Sequence, residues 1–421
     1  MMMHMLTVPD PAFAGLEAAL DPAWAASAFV AMLDAHGFPT RALECRVERV
    51  RLKPGTKALI GYRLRGTDCV GQPIDQRVML SLFPHGSAAR LADIPHETPV
   101  AQPAFGPPTA RLPALGGQAW FFPNDRKMHH IDALLRDLPP TIRAAGDVVD
   151  HEVVHYVPEQ GCTIRVTVDS GACFYGKCRA DDRGANAWAV HRAAIALPRL
   201  RFAPAIAHDP VRHIFWQGAV DGLALDPVDV RVRPHYWAPR VCDAIAAFAV
   251  LPQPPTLKQL TIDRIAQTVI ARALRSAQIM PSLGARLDAL AARLGATCPA
   301  ATDPVLLHCD LHAGNLLWDG DSFALIDLDT AAIGPRGVDH GSLVAALIHK
   351  AVEAQSSDGA IDRLVDAFRR ASGVGADFDW FVAAGLVAER LYRCGTRLKT
   401  PSAGTRERLL AYAEHLVAQH D

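Results

Sequence analysis

The sequence predicts an α+β protein in which strand-forming segments come first and helix-forming segments follow. Three observations carry that expectation. Between residues 45 and 83, short apolar runs are broken by turn signals, a Lys53-Pro54-Gly55 turn and a polar turn around Gly71. From about Trp237 onwards the chain becomes rich in Ala, Leu and Arg at helical spacing, with few β-branched residues. A short strand–loop–strand region at 304–329 interrupts these helices.

Taken in order, residues 15–37 are Ala/Leu-rich with helical spacing and end at Gly37. Strands are expected at Cys45–Leu52, Ala58–Arg65 and Arg77–Phe83, and the proline-rich stretch Pro103–Pro113 reads as an irregular connection. A hairpin over Val153–Val168, turning at Pro158–Gly161, leads to a strand through Cys173–Arg179 and a helix over Ala185–Ala194. Later helices are expected at Pro239–Val250, Leu260–Ser276, Pro281–Leu294, Gly341–Ala354, Ala360–Ala371, Trp380–Lys399 and Thr405–Gln419. Residues 50–64 overlay on 154–168 at a constant offset, with Val, Pro and Ile coinciding at 50/154, 54/158 and 60/164. Two readings stay open for this overlay: a repeated unit, or two unrelated hairpins that each turn at a proline.

The 421 residues, half of them apolar, support a large core and two or three structural units. A formal net charge of −1 argues against a dedicated nucleic-acid binder, which would show a basic surplus. No run of 18 apolar residues occurs, so no membrane span is expected. Residues 1–15 lack a basic region followed by a long apolar stretch, so no signal peptide is expected either. Nine cysteines are scattered without a CxxC pair, which fits a reducing, cytoplasmic setting.

The chemistry concentrates in Pro304–Ala332. Val305–Leu307 runs into a polar loop, His308 to Asn315; Leu316–Trp318 then turns at Asp319-Gly320, and Phe323–Ile326 ends at Asp327. An Asp-Gly turn between apolar runs signals a hairpin. It would bring Asn315 and Asp327 to neighbouring strand ends, with Asp310 in the loop beside them. Such hard oxygen ligands suit Mg²⁺, and phosphoryl transfer needs little more than an oriented nucleophile and metal-neutralised phosphates. A zinc hydrolase built on His308, Asp310 and His312 is the rival chemistry. Two histidines four apart bind zinc from one helix face, and Gly314 with the strand after it argues against a helix.

This segment resembles the aminoglycoside phosphotransferase and choline kinase branch of the protein-kinase-like fold, whose loop commonly reads H-G-D-x-x-x-x-N, followed by I-D. Here it reads His308-Cys309-Asp310-Leu311-His312-Ala313-Gly314-Asn315, then Ile326-Asp327. The resemblance implies a bilobal fold: a small β-rich lobe over residues 147–235 and a large helical lobe over 236–421. Residues 1–146 would be an added N-terminal α+β domain, a candidate degenerate copy of the small lobe. The resemblance also implies ATP or GTP with Mg²⁺ as cofactors. Asp310 would be the catalytic base that orients the acceptor hydroxyl, Asn315 and Asp327 the metal ligands, and His308 a structural holder of the loop.

Departures from the family pattern carry their own expectations. Cys309 stands where Gly is usual, and a side chain makes positive φ costly, so a slightly different loop backbone is expected. His312 is expected to be a pocket or loop residue. Asp329 occupies a position where protein kinases have Gly; it would bind a cationic substrate, assist the metal or hold the loop. Asp339 is expected to cap the helix at Gly341 in preference to binding substrate, and Glu389 to be a solvated surface acid in preference to recognising an amine alongside Asp329.

By the same resemblance, Lys177 is the strand lysine for the nucleotide phosphates, and Ser81 takes the corresponding place in the N-terminal copy. The helix after Lys177 contains no glutamate to pair with it. The leading expectation is an ATP-dependent phosphotransferase acting on a hydroxyl of a small molecule, such as an amino alcohol, aminoglycoside or sugar. The alternative is a pseudokinase-like nucleotide-binding regulatory module, motivated by the absent helix glutamate and the added N-terminal domain. The segment Phe122-Pro123-Asn124-Asp125-Arg126 has no chemical role that the sequence identifies.

Overall fold

The computed structural model describes residues 13, 15–84, 101–112, 116–194, 200–397 and 403–420. The expectations for the first twelve residues, for Pro113 and for the end of the Trp380–Lys399 helix lie outside these described residues.

α1 (Leu16–Leu20) leads into α2 (Pro22–Ala35). α2 starts where the Asp21 carboxylate accepts the backbone N–H groups of Ala23 and Trp24, at 2.8 and 3.3 Å, with Pro22 in the first turn. Phe29 and Leu33 of α2 are buried against the sheet that follows. That sheet is antiparallel, in the order β1-β2-β3-β5-β4, from β1 (Thr40–Lys53), β2 (Lys57–Asp68), β3 (Pro73–Leu82), β4 (Thr109–Leu112) and β5 (Gly117–Phe121). β1 begins at Thr40 rather than Cys45, because Thr40, Ala42 and Leu43 are held by ladder pairing to Asp68, Thr67 and Gly66 and not by an apolar alternation. Part of the expected irregular connection, Thr109–Leu112, becomes a strand by pairing with Gly117–Trp120.

α3 (Ile131–Arg136) and α4 (Pro140–Ala145) precede the second sheet. Its strands are β6 (Val148–Val157), β7 (Gly161–Val168) and β8 (Cys173–Arg179), then, after α5 (Gly184–Ala193) and β9 (Leu200–Phe202), β10 (Ala205–Asp209) and β11 (Ile214–Gly218). The order is β10-β11-β8-β7-β6. Both sheets are therefore a three-stranded meander whose third strand pairs with the second strand of a hairpin. Pro54 and Pro158 each lie in the first meander turn. The registers differ in detail: Val50 pairs with Ile60, whereas Val154 falls at a bulge in β6.

The remainder is mostly helical: β12 (Leu223–Ala224), α6 (Pro227–Val232), α7 (Pro234–Ala249), α8 (Ile262–Ile279) and α9 (Gly284–Ala296). The strands β13 (Val305–Leu307), β14 (Leu316–Trp318), β15 (Phe323–Leu325) and β16 (Ala332–Gly334) follow. α10 (Gly337–Glu353), α11 (Asp358–Ser372), α12 (Phe378–Gly385), a π-helical segment Leu386–Leu391, α13 (Tyr392–Thr396) and α14 (Ala403–His420) complete it. The expected Trp380–Lys399 helix is thus broken by a π segment, a local widening that often accompanies functional positions. α10 begins at Gly337, ahead of Gly341. Two poor helix formers there hide the start from propensity, yet a Cβ on Gly341 would lie 2.3 Å from the Phe381 carbonyl oxygen. That close approach seats α12 on α10 and fixes where Asp339 sits.

The architecture is mixed α+β with an N-terminal sheet that has its own core. A second core lies under the second sheet, α3 and α4. The large helical core also takes in Ala187 and Val190 of α5 and Phe215 of β11, which ties the second sheet to the helices.

Candidate active site

The polar loop after β13 is held from beneath by one buried acid. Asp339, 1% exposed, accepts the backbone N–H groups of His308 and Cys309, both at 2.8 Å. Burial pushes its carboxyl up, and the His308 charge and the two backbone hydrogen bonds oppose that rise. The expectation that Asp339 caps a helix is corrected: it lies inside α10, and its carboxylate serves the loop. The expectation for Cys309 is corrected too. It adopts φ +63°, the left-handed conformation that a glycine would take there. A side chain pays about 1–2 kcal/mol for that, and the hydrogen bond from its amide to Asp339 stabilises the arrangement.

His308 is fully buried. Its Nε2 lies 2.8 Å from the Ile326 carbonyl oxygen, its Nδ1 faces the Asp310 amide at 3.4 Å, and Thr330 Oγ1 donates to its carbonyl. The ring ties the loop to the end of β15. Asn315 donates from Nδ2 to the Asp310 carbonyl at 3.0 Å, and the Ile326 amide donates to the Asn315 carbonyl at 3.2 Å. With Leu316 paired to Leu325, the hairpin places Asn315 beside Ile326, and Asp327 follows at φ +65°. The sequence-read trio is therefore brought together: Asp310 and Asn315 on one loop, Asp327 at the adjoining strand end.

Lys177 reaches this group from β8. Its Nζ lies 2.8 Å from Asp327 Oδ1 and 3.6 Å from Asp329 Oδ1. Two residues on, Arg179 joins it: Nη2 lies 3.1 Å from Asp327 Oδ1, and Nε donates to Asp329 Oδ2 at 2.6 Å. Burial works to raise the Asp327 carboxyl, but the charges of Lys177 and Arg179 outweigh it and hold the group well below the usual carboxylate range. α5 supplies no acid to Lys177; the hairpin end supplies two. Its contribution is Asn186, whose Nδ2 donates to the Asp329 carbonyl at 3.2 Å. Arg179 and Asn186 were missed by the sequence reading, although Lys177 and Arg179 stand at the i, i+2 spacing that shares one strand face.

His312 accepts the Gly314 amide on Nδ1 at 3.1 Å, and burial pushes its imidazole down. With His308 committed to Ile326 and His312 to its own turn, the two rings do not converge as a zinc pair. Among the described residues, no three His, Cys, Asp or Glu side chains group as a metal site. Mg²⁺ asks less of the protein, one or two carboxylates completed by water and phosphate. Here Asp329 Oδ1 is buried without a hydrogen bond. Asp327 holds both its cations through Oδ1, and Asn315 is engaged through its Nδ2. Oxygens of Asp327, Asn315 and Asp329 thus remain as hard donors, which fits the ion.

Glu389 is corrected from surface acid to half-buried partner: it accepts from Ser342 Oγ at 3.1 Å and pairs with Arg390 at 3.0 Å, on the π segment. The Pro158–Gly161 turn is clamped. Glu159, at φ +56°, is buried and paired with Lys57 of β2 and with Arg126 Nε at 2.7 Å. Asp125 accepts the Glu159 amide at 2.9 Å and the Tyr156 hydroxyl at 2.8 Å. Asn124 holds the Ala101 backbone through both its amide atoms. The segment 122–126, without a role in the sequence reading, is thus the fastener between the N-terminal sheet and this turn.

Residues 186–386 match the model of the phosphotransferase enzyme family, called APH. None of the curated proteins matches the chain. Among solved structures, a choline/ethanolamine kinase family protein from Mesorhizobium loti is similar at 14% identity and a TM-score of 0.46, covering 68% of this chain and 95% of the other. The aminoglycoside phosphotransferase APH(4)-Ia, as a thermostable mutant in a ternary complex with ADP and hygromycin B, is similar at 16% identity and a TM-score of 0.46, covering 66% and 97%. The macrolide 2'-phosphotransferase MphH from Brachybacterium faecium is similar at 16% identity and a TM-score of 0.43, covering 67% and 98%. The matched stretch 186–386 carries the 308–315 loop, the hairpin after it and Asp329, and it is there that this chain is similar to the phosphotransferase enzyme family.

Proposed function

We propose that the protein is an ATP-dependent kinase that moves the γ-phosphate of ATP to a hydroxyl of a small molecule. One observation carries the reading: Lys177 and Arg179 of the second sheet meet Asp327 and Asp329 at the hairpin end, beside the loop that bears Asp310 and Asn315. Asp310 accepts the proton of the acceptor hydroxyl as its oxygen forms a bond to the γ-phosphorus; the bond to the bridging oxygen breaks, and ADP leaves with the electron pair. Asn315 and Asp327, with Asp329 beside them, would hold Mg²⁺, which when bound neutralises charge on the phosphates. Lys177 and Arg179 turn from the carboxylates towards the phosphates as these arrive, and Asp339 keeps the loop from shifting.

The second reading, nucleotide binding without transfer, was motivated by the absent helix glutamate and the added N-terminal domain. Lys177 has two carboxylates within ion-pair distance, which supports transfer. The test is ADP release from Mg²⁺-ATP across a panel of hydroxylated acceptors. Turnover is expected with at least one acceptor, and Asp310→Asn is expected to lower kcat by about 10²-fold or more, the usual worth of a positioned base. Full activity in that variant, or tight ATP binding with no transfer to any acceptor, would sink the assignment.

A further inference from the structure

Cations from both ends of the chain gather near Asp310. On β1, Arg49 and Arg51 alternate with buried Val50 and Leu52, so they stand on the face away from the N-terminal core. β1 packs against α13, where Arg393 Nη2 lies 3.6 Å from Asp310 Oδ1. Arg49 Nη2 lies 3.1 Å from His155 Nε2 on β6. Arg51 donates to Gln160 at 3.0 Å when the amide oxygen of that side chain is turned to it. Among the described residues no ion pair joins Arg49, Arg51 or Arg397 to a carboxylate.

The electrostatics agree with this crowding. Loss of solvent, and then the like charges of Arg393, Arg49 and Arg51, push the Arg397 guanidinium down to about 10, with Asp310 opposing. Burial and then Arg49 and Arg179 push His155 down, with Asp327 opposing. Lys177 and Arg179 are a separate group, already paired with Asp327 and Asp329. A pocket for a polyamine would gather carboxylates beside the base. Here the guanidinium groups outnumber the acids: Arg393 faces Asp310, and Glu159 opposes the fall of Arg51, while no ion pair among the described residues neutralises Arg49, Arg51 or Arg397. Such a surplus is the chemistry that takes a phosphate or carboxylate through paired N–H donors.

We propose that Arg49, Arg51, Arg393 and Arg397 bind an anionic group of the acceptor, so that the hydroxyl compound phosphorylated here itself carries a phosphate or a carboxylate. The proposal rests on the kinase reading above and deepens it. It gives the N-terminal sheet a part in substrate choice, because two of the four arginines belong to β1. The anionic group is bound and not transformed; bonds change only at the acceptor hydroxyl and the γ-phosphorus.

The test is calorimetric titration of inorganic phosphate, and separately of malate, into the full chain, alone and with saturating Mg²⁺ and AMP-PNP. Phosphate or malate is expected to bind with AMP-PNP in place, and the stronger of the two names the anion. Arg393→Gln and the double variant Arg49→Gln/Arg51→Gln are each expected to weaken that binding at least tenfold, while AMP-PNP affinity stays within twofold. Arg393→Lys, which keeps the charge and loses the fork, should fall between. Circular dichroism of each variant reports whether it is folded. The proposal is overturned if neither anion binds, if AMP-PNP displaces the anion, or if the folded variants bind it as the parent does. Anion binding without any AMP-PNP binding would overturn the kinase reading, and with it the acceptor role, while leaving the arginine site itself standing.

Discussion

Lys177 Nζ and Asp327 Oδ1, 150 positions apart in the chain, lie 2.8 Å from each other at the junction of the second sheet and the hairpin end. The lysine neutralises the acid that the kinase reading assigns to Mg²⁺. Lys177→Met should then weaken AMP-PNP binding by about 1.5–3 kcal/mol, the worth of a hydrogen bond to a charged group, or roughly ten- to hundredfold. Titration of the variant with the analogue checks this. Unchanged affinity would remove Lys177 from the nucleotide site.

Asp327→Asn should act on the metal rather than on the nucleotide base. The Mg²⁺ concentration for half-maximal ADP release should rise, and chelation followed by Mg²⁺ addition should restore activity in the parent protein. Metal analysis of the purified protein is expected to show no stoichiometric zinc, since His308 and His312 are committed to different partners.

Asp339 supports the loop through two backbone amides. Asp339→Ala leaves both unpaired in a buried place, and each unsatisfied donor costs about 1–3 kcal/mol. Denaturant unfolding should show a loss of a few kcal/mol, and ADP release should fall because Asp310 loses its footing. Cys309→Gly removes the cost of a side chain at φ +63° but adds chain entropy to the unfolded state; the two nearly offset, so stability should stay within about 1 kcal/mol of the parent.

Glu159 joins the N-terminal sheet to the second sheet through Lys57 and Arg126. Its two partners shift it in a definite direction: burial raises its carboxyl, and Arg126 and Lys57 outweigh that and bring it below the ordinary range. Lys57, with one carboxylate against burial, is itself pushed down to about 8. Because the folded Glu159 carboxyl sits below its unfolded value, the unfolded chain binds more protons near the ordinary carboxylate pKa. The stability it provides is present above that pH and is lost as pH falls through the folded value. Glu159→Gln should remove this acid-side loss and destabilise the protein at neutral pH by about 3–5 kcal/mol, the cost of stranding a buried partner charge. Unfolding curves of both proteins between pH 3 and 7 measure it; parallel curves would refute it.

The local order of the chain was legible in the sequence wherever a short-range pattern enforces it. The Asp319-Gly320 turn between apolar runs defines the hairpin that brings Asn315 next to Ile326. The change from strand to helix near Trp237 is a change of period, and the family resemblance lay in the spacing of His308, Asp310, Asn315 and Asp327. Other features depend on partners distant in sequence. Asp339 looked like a cap because Gly341 follows it, and only the packing of α10 under the loop turns its carboxylate to His308 and Cys309. Glu389 looked solvated because charge is usually exposed, until the π segment set it beside Ser342. Arg49, Arg51 and the 122–126 segment had no visible purpose, since their partners, His155, Gln160 and Glu159, lie on other strands and turns. Sequence alone determined the hairpin and the trio it carries, because turn chemistry and strand pairing act over a few residues. The tertiary structure decided which cations and acids surround that trio, because charge meets charge through space and leaves no period in the chain.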